Sequence, residues 1–139
     1  MAFGSDVGAG NRFSMLNVLD EAYKVGMRNN ATLEDAGEAA RNKISPYRGF
    51  WSITLGGAEG LYVDDLVGNF EPGKEADLVV LDWNAGPLAQ SWRQSLTVGE
   101  SGPETVEQAA DLLFGLMMVG DDRAVAETWV MGRKLYEKA

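Results

Sequence analysis

Asp6 is the residue whose type and position in the sequence best suit chemistry. It lies near the end of an apolar segment, residues 2–7, that we predict to be a short β-strand, and the turn Gly8-Ala9-Gly10 follows it. Barrels of alternating strands and helices place catalytic groups at the C-terminal tips of their strands. Asp is also common at such positions because its side chain stabilises turns. From spacing alone, both interpretations stay open.

Two other kinds of polar motif carry weaker signals. The turn Gly8-Ala9-Gly10 lacks the third glycine of a dinucleotide fingerprint and the Lys-Ser/Thr of a P-loop, so it predicts a tight strand-to-helix turn. The acidic pairs Asp64-Asp65 and Asp121-Asp122 offer oxygen ligands of the kind that Ca²⁺ or Mg²⁺ prefers. Because Asp is frequent in solvated turns, we favour a turn role for both pairs.

The remaining candidates have an ordinary structural interpretation. Tryptophan rings stack on planar bases, but aromatic side chains more often fill cores and interfaces. We expect Met117 and Met118 to pack a helix, and Asp82 to end a strand without a chemical task. The tryptophans in question are Trp51, Trp83, Trp92 and Trp129.

The sequence contains no histidine and no cysteine. This excludes disulfides, thiolate zinc sites and thiol catalysis, and it favours a reducing compartment. The candidates for a general base are therefore Asp, Glu, Lys and Tyr. A complete zinc hydrolase cannot be built from these residues alone, because catalytic zinc sites use three protein ligands, usually with histidine among them.

Composition indicates a folded chain that avoids polyanions. Of the 139 residues, 45% are hydrophobic and 24% charged, which is typical of globular domains. Twenty-one acidic and twelve basic residues give a net charge of −9, which argues against nucleic acid and anionic membranes as partners. We find no apolar run of roughly 20 residues and no signal pattern, and we expect a cytoplasmic location.

Hydrophobic periodicity predicts helices in the first half of the chain. Leu16, Leu19, Tyr23 and Met27 share one face of a helix over residues 14–27. Two helices are predicted within 33–55, interrupted at Pro46. Gly56-Gly57-Ala58 is expected to end the second helix or to pack closely.

The second half predicts strands and one more helix. Strands are expected at 66–70 and 78–81 around a Pro-Gly turn, and at 123–131 and 132–136. Residues 84–100 suggest a surface loop. A capping box at Ser101–Glu104 predicts a helix over 101–119 that stops at Gly120.

Several segments resemble the guanine deaminase branch of the amidohydrolase superfamily. The opening Gly4-Ser5-Asp6-Val7-Gly8-Ala9-Gly10 and the later Gly120-Asp121-Asp122-Arg123-Ala124-Val125 are similar to that branch in particular. The segment from Gly68 to Asp82, with its Glu-Pro-Gly-Lys-Glu-Ala-Asp-Leu core, is shared by many amidohydrolases. The resemblance covers essentially the whole chain, although Gly60-Leu61-Tyr62-Val63 differs from the residues usual in the family at these positions.

The resemblance implies an α/β fold: the last strand and outer helices of a metal-dependent-hydrolase, TIM-like barrel in residues 1–65, and part of a small β-sandwich in residues 66–139 with a returning helix at 101–119. It also implies that Asp6 is both a metal ligand and the catalytic proton shuttle between zinc-bound water and the leaving amine of guanine. The family's histidine ligands, its acidic general acid/base and its purine-contacting residues lie on earlier strands. Substrate-binding residues in this chain are therefore unknown.

We accordingly expect a C-terminal fragment of a zinc-dependent guanine deaminase that binds no zinc and is inactive by itself. The position of Asp6 so close to the first residue favours this hypothesis. The alternatives are a non-catalytic, oligomeric interaction module that keeps the fold, or a fragment of another aminohydrolase acting on cytosine, a triazine or an oxidised purine. Because a lone barrel strand has unpaired edges, we also expect a homo-oligomer.

Overall fold

The structure is a computed structural model that describes residues 1–10, 12–96, 98–99 and 101–139, with the backbone alone at residue 36. Its elements follow in chain order. They are α1 Met15–Asn30, α2 Ala36–Asn42, α3 Pro46–Ser52, α4 Leu55–Leu61, β1 Leu78–Leu81, α5 Pro87–Ser95, α6 Val106–Val119, a 3-10 turn Asp122–Ala124, β2 Val125–Val130 and β3 Arg133–Glu137.

Helices form where the periodicity of the first half predicted them, with one further helix, although Met27 of the predicted apolar face is 42% exposed. Helix α1 covers the predicted span and continues to Asn30. Pro46 separates α2 from α3 by occupying the first turn of α3, where its missing N–H costs nothing. Of the two alternatives expected for Gly56-Gly57-Ala58, the end of a helix is not observed, because Gly56 lies inside the further helix α4. The expected close packing is confirmed: a β-carbon on Gly56 would lie 2.6 Å from the ring of Trp51.

Helix α6 is capped four residues later than predicted. The hydroxyl of Thr105 accepts a hydrogen bond from the backbone N–H of Gln108 at 3.1 Å. The side-chain oxygen of Gln108 in turn accepts one from the backbone N–H of Thr105 at 3.3 Å. The capping box therefore lies at 105–108, not at Ser101–Glu104, while Gly120 follows the last residue of the helix as expected.

The strands form one three-stranded antiparallel sheet in the order β1-β2-β3. Leu78 lies opposite Trp129, and Thr128 lies opposite Tyr136. The predicted strands at 78–81 and in the final hairpin are confirmed. The predicted strand at 66–70 is wrong: Leu66 and Val67 donate backbone hydrogen bonds to the Val63 carbonyl in a turn, at 3.0 and 3.1 Å.

Two other predictions for irregular or extended segments are also wrong. The expected loop at 84–100 contains helix α5, which Pro87 begins; residues 97 and 100 of that segment lie outside the described residues. Residues 2–7 form no strand, because among the described residues no neighbouring strand pairs with them. Val7 forms an isolated bridge with Gly10, and the backbone N–H of Phe3 donates to the Ser52 carbonyl, but neither contact extends into a sheet.

The core lies where α6 crosses the other helices. Leu19 and Met117 are fully buried, and a cluster of Leu16, Ala85, Leu116 and Ala124 continues the core towards the sheet. Helix α6 packs on α1, α3 and α5. The mixed helix and antiparallel-sheet architecture is therefore observed, whereas the barrel and the division at residue 65 stay predictions.

Candidate active site

Asp6 lies in a compact turn on the surface of the molecule. Its backbone has a φ of +42°, in the left-handed region that Asp tolerates better than most residues. Its carbonyl oxygen accepts hydrogen bonds from the backbone N–H groups of both Ala9, at 3.1 Å, and Gly10. The Asp6 residue is exposed, so its carboxylate is accessible to a ligand or to another polypeptide segment.

The two flanks of this turn are fixed to different helices. On the N-terminal side, the backbone N–H of Phe3 donates to the carbonyl of Ser52 at 3.2 Å. Ser52 is fully buried at the end of α3, and its hydroxyl donates to the carbonyl of Arg48 at 2.7 Å. On the C-terminal side, α1 begins at Met15 and buries Leu16 in the core. The turn predicted at 8–10 is thus confirmed, although no strand precedes it, and Phe3 and Leu16 anchor the segments on its two sides.

A cleft of about 280 Å³ borders this turn, lined partly by Ser5, Gly10, Arg12 and Asn17. Arg12 and Asn17 also line an adjoining cleft of about 220 Å³, whose opposite wall contains Asp121 and Asp122. Arg12 therefore lines both clefts, one beside residues 4–10 and one beside Asp121 and Asp122, although more than a hundred residues separate these segments in the sequence. Sequence reasoning missed Arg12, because no motif or spacing singled it out.

Asp121 is held by Arg123 in a bidentate ion pair. The Nη2 of Arg123 lies 2.6 Å from Oδ2 of Asp121, and its Nε lies 3.0 Å from Oδ1. The side-chain hydrogen bond from Arg123 lowers the pKa of Asp121, with smaller contributions from the Arg123 backbone N–H and from the charge of Arg12. Asp121 also caps the 3-10 turn that Asp122 begins. This agrees with the turn role that we favoured for the sequence pair Asp121-Asp122.

The residues of the described part of the chain do not fit a zinc ion. No group of three or more His, Cys, Asp or Glu side chains in that part is placed to hold a metal. Asp64 and Asp65 are exposed in a turn between α4 and β1. Catalytic zinc requires three protein ligands. Asp6 therefore stands without the companions that a zinc site needs.

The four tryptophans have packing or electrostatic roles. Trp83 packs against the core cluster, and the guanidinium of Arg48 lies 4.5 Å from the ring centroid of Trp51. The Nε1 of Trp92 donates to the carbonyl of Asp111 at 3.2 Å. The Nε1 of Trp129 donates to a Glu127 carboxylate oxygen at 2.6 Å. These contacts agree with the structural interpretation of the tryptophans.

The other side chains considered from the sequence also have structural roles. Met117 is fully buried and Met118 half-buried, both on α6. Asp82 follows β1 and accepts a hydrogen bond from the backbone N–H of Asn84 at 2.8 Å. It also pairs with Lys138 across 3.5 Å. These residues support the fold and leave Asp6 as the candidate for chemistry.

None of the helices in the described ranges has the length and apolar character needed to cross a membrane.

Comparisons with known proteins agree on one family. The profile of the Amidohydrolase family matches residues 1–135. The guanine deaminase of Escherichia coli (strain K12) is 42% identical over 139 residues, which are 99% of this chain and 27% of that protein. The guanine deaminase of Homo sapiens is 28% identical over 135 residues, again covering 27% of its length.

Solved structures give the same result. The crystal structure of guanine deaminase from Bradyrhizobium japonicum superposes with a TM-score of 0.91 and 65% identity, over 100% of this chain and 31% of that one. The E. coli guanine deaminase structure has a TM-score of 0.80 and 40% identity, over 99% of this chain and 28% of that one. The chain thus spans about 27% of the length of the curated relatives named above.

Proposed function

The chain belongs to the amidohydrolase family, and on that premise we propose that it supplies the catalytic aspartate, Asp6, of a guanine deaminase. The observation that carries the proposal is the superposition of the entire chain on a guanine deaminase, with a TM-score of 0.91 at 65% identity. The exposed, doubly anchored turn at Asp6 supports the choice of residue.

The proposed reaction is the hydrolysis of guanine to xanthine and ammonia. Water adds to the ring carbon that bears the amino group, and the bond from that carbon to nitrogen then breaks. In this scheme the Asp6 carboxylate accepts a proton as the water attacks and returns it to the departing amine. A carboxylate within hydrogen-bond reach of both groups is suited to such a transfer.

The proposal places the remaining active-site groups outside these 139 residues. The chain lacks histidine, and its described acidic residues form no metal cluster, so the ligands of a zinc ion would come from other residues. We propose the same for the groups that contact guanine. We therefore expect the chain by itself to be inactive. The cytoplasmic location expected from the sequence remains part of the proposal.

We also propose that the isolated chain associates with a second copy through its sheet. Val79, Leu135 and Tyr136 are 55%, 62% and 47% exposed, which leaves apolar side chains on the outer strands β1 and β3 in water. The order β1-β2-β3 gives both strands a free edge among the described residues. Pairing or packing of two copies would cover these groups.

The test is zinc content together with ammonia release from guanine, measured on two proteins. One is the 139-residue chain, and the other is the longest polypeptide encoded by its reading frame. We expect turnover and stoichiometric zinc in a longer polypeptide, and neither in the 139 residues. A longer, zinc-loaded polypeptide that deaminates cytosine or a triazine but not guanine would contradict the substrate assignment. Zinc and turnover in the 139 residues alone would contradict the assignment of the ligands to other residues.

A further inference from the structure

We propose that Gly10 is a positioning residue for Asp6: only a residue without a β-carbon lets the turn close and hold Asp6 in its left-handed conformation. This inference rests on the proposed role of Asp6. Gly10 has no side chain that could take part in proton transfer, so the proposed effect is exerted through the placement of the aspartate.

The geometric reason is a close approach between backbone atoms. A β-carbon on Gly10 would lie 1.9 Å from the carbonyl oxygen of Ser5 and 3.0 Å from the carbonyl oxygen of Asp6. Both of these neighbours are backbone atoms, which cannot rotate away as the end of a flexible side chain can. Gly10 has no positive φ in this structure, so the need for glycine here arises from space alone.

The close approach of Gly10 to Ser5 also fixes the position of Asp6, the residue to which we assign the catalytic role. The N–H of Gly10 and the N–H of Ala9 both donate to the Asp6 carbonyl, and the N–H of Gly8 donates to the Gly10 carbonyl at 3.1 Å. A methyl group at position 10 must separate Gly10 from Ser5 and so weaken the bonds to Asp6. Moving the turn as a unit would not relieve the clash, because Ser5 and Gly10 both belong to the turn.

Gly4 provides a matched control in the same segment. No atom lies within 4 Å of the place where its β-carbon would be, and its φ is not positive. Gly4→Ala therefore makes the same chemical change two residues before Asp6 without a clash. Gly8 is unsuitable as a control, since its φ of +122° makes any substitution strained.

The first experiment compares Gly10→Ala with Gly4→Ala in the 139-residue chain by NMR. We expect the backbone amide and side-chain resonances of Asp6 to shift in Gly10→Ala and to stay in place in Gly4→Ala. In the unsubstituted chain, the amides of Ala9 and Gly10 should be protected from hydrogen exchange, a measurement that needs no variant to fold. Unprotected Ala9 and Gly10 amides, or unchanged Asp6 resonances in Gly10→Ala, would overturn the proposal.

The second experiment uses the longest polypeptide encoded by the reading frame. Misplacing a catalytic group by about 1 Å can cost on the order of 100-fold in rate. We expect Gly10→Ala to lower kcat for guanine by roughly this factor with KM little changed, and Gly4→Ala to lower kcat much less, because its β-carbon meets no backbone atom of the turn. Equal kcat for both variants would overturn the positioning role. If the unsubstituted polypeptide shows no turnover of guanine, the proposed function fails, while the NMR comparison still decides whether Gly10 places Asp6.

Discussion

The indole ring of Trp92 lies directly against Gly115 at the middle of helix α6. A β-carbon on Gly115 would lie 2.5 Å from Cδ1 of Trp92, closer than real β-carbons approach other atoms. Phe114 contacts the same indole, with 5.8 Å between the ring centroids. Helix α5 therefore packs on α6 through the large side chain of Trp92, which lies in the space that a side chain at Gly115 would occupy.

Replacing Gly115 by alanine should destabilise the chain, although alanine favours helices. The added methyl group overpacks a buried contact, and such changes cost about 1–3 kcal/mol. Gly57→Ala is the matched control, because its β-carbon would meet the nearest atom, the Ser52 carbonyl oxygen, at an ordinary 3.6 Å. That variant should gain up to about 1 kcal/mol from helix propensity. Urea unfolding measures both; a Gly115→Ala variant as stable as Gly57→Ala would contradict the packing.

The ion pair of Asp121 and Arg123 should make stability depend on pH. Arg123 lowers the pKa of Asp121 below its ordinary 3.8 in the folded chain. Such a group adds stability above its unfolded pKa, and the contribution is lost as pH falls through the folded pKa. Asp121→Asn, which keeps a capping oxygen, should therefore be less stable than the unsubstituted chain at pH 7.

As pH falls below 3.8, the ordinary pKa of an Asp side chain, Asp121 becomes protonated and neutral like asparagine. The difference in stability between Asp121→Asn and the unsubstituted chain should therefore shrink. Thermal unfolding across this pH range measures it. Asp64→Asn, in an exposed turn, is the control for the loss of one negative charge. A difference between Asp121→Asn and the unsubstituted chain that stays constant down to strong acid would show that the pair does not act through its charge.

The elements that sequence reasoning found are those stabilised by local patterns. Helix α1 has apolar residues at helical spacing, and the hairpin β2–β3 turns at Gly132, whose φ is +71°. Helix α5 was missed although Pro87 lies at its first position, since the glycine, proline and serine residues of 84–100 are typical of loops. The contact between Trp92 and Gly115 that docks this helix on α6 cannot be predicted from spacing. Residues 66–70 carry strand-like apolar residues, yet Leu66 and Phe70 are 53% and 83% exposed and no strand forms.

Prediction from local sequence patterns has the same limit at the candidate site. The tight turn after Asp6 followed from its glycines, because glycine permits conformations that other residues avoid. The specific need for Gly10 could not be predicted, since it depends on which carbonyl oxygen lies beside it in the folded chain. The same holds for Arg12, which comes near Asp121 only through tertiary packing.

Met117 should be the methionine whose truncation costs most. It is fully buried, whereas Met27 on α1 is 42% exposed. Truncating a buried methionine to alanine costs about 2–5 kcal/mol, because contacts are lost and a cavity remains. Met117→Ala should therefore unfold at a much lower urea concentration than Met27→Ala. Similar midpoints for the two variants would place the core elsewhere than at the crossing of α1, α3 and α6.

Self-association through the sheet should depend on Leu135. This side chain is 62% exposed on the outer strand β3, and a lysine on an edge strand discourages pairing. Sedimentation at micromolar concentration should show a dimer for the unsubstituted chain and a monomer for Leu135→Lys. Leu88→Lys is the control, since Leu88 is similarly exposed, at 68%, but lies on α5. If Leu88→Lys, and not Leu135→Lys, converts the dimer to a monomer, the interface lies on the helices and not on the sheet.

Asp6→Asn should abolish most of the turnover of guanine without affecting the fold. Asparagine has nearly the same shape and also tolerates a positive φ, so the turn at 6–10 should persist. It cannot accept the proton from the attacking water, and a general acid–base group typically contributes about 10²–10⁴-fold to the rate. The measurement is kcat in the longest polypeptide of the reading frame, with unfolding curves on the same samples. Asp65→Asn, a change of the same kind in an exposed turn, should keep full activity; equal rates for the two variants would remove Asp6 from the chemistry.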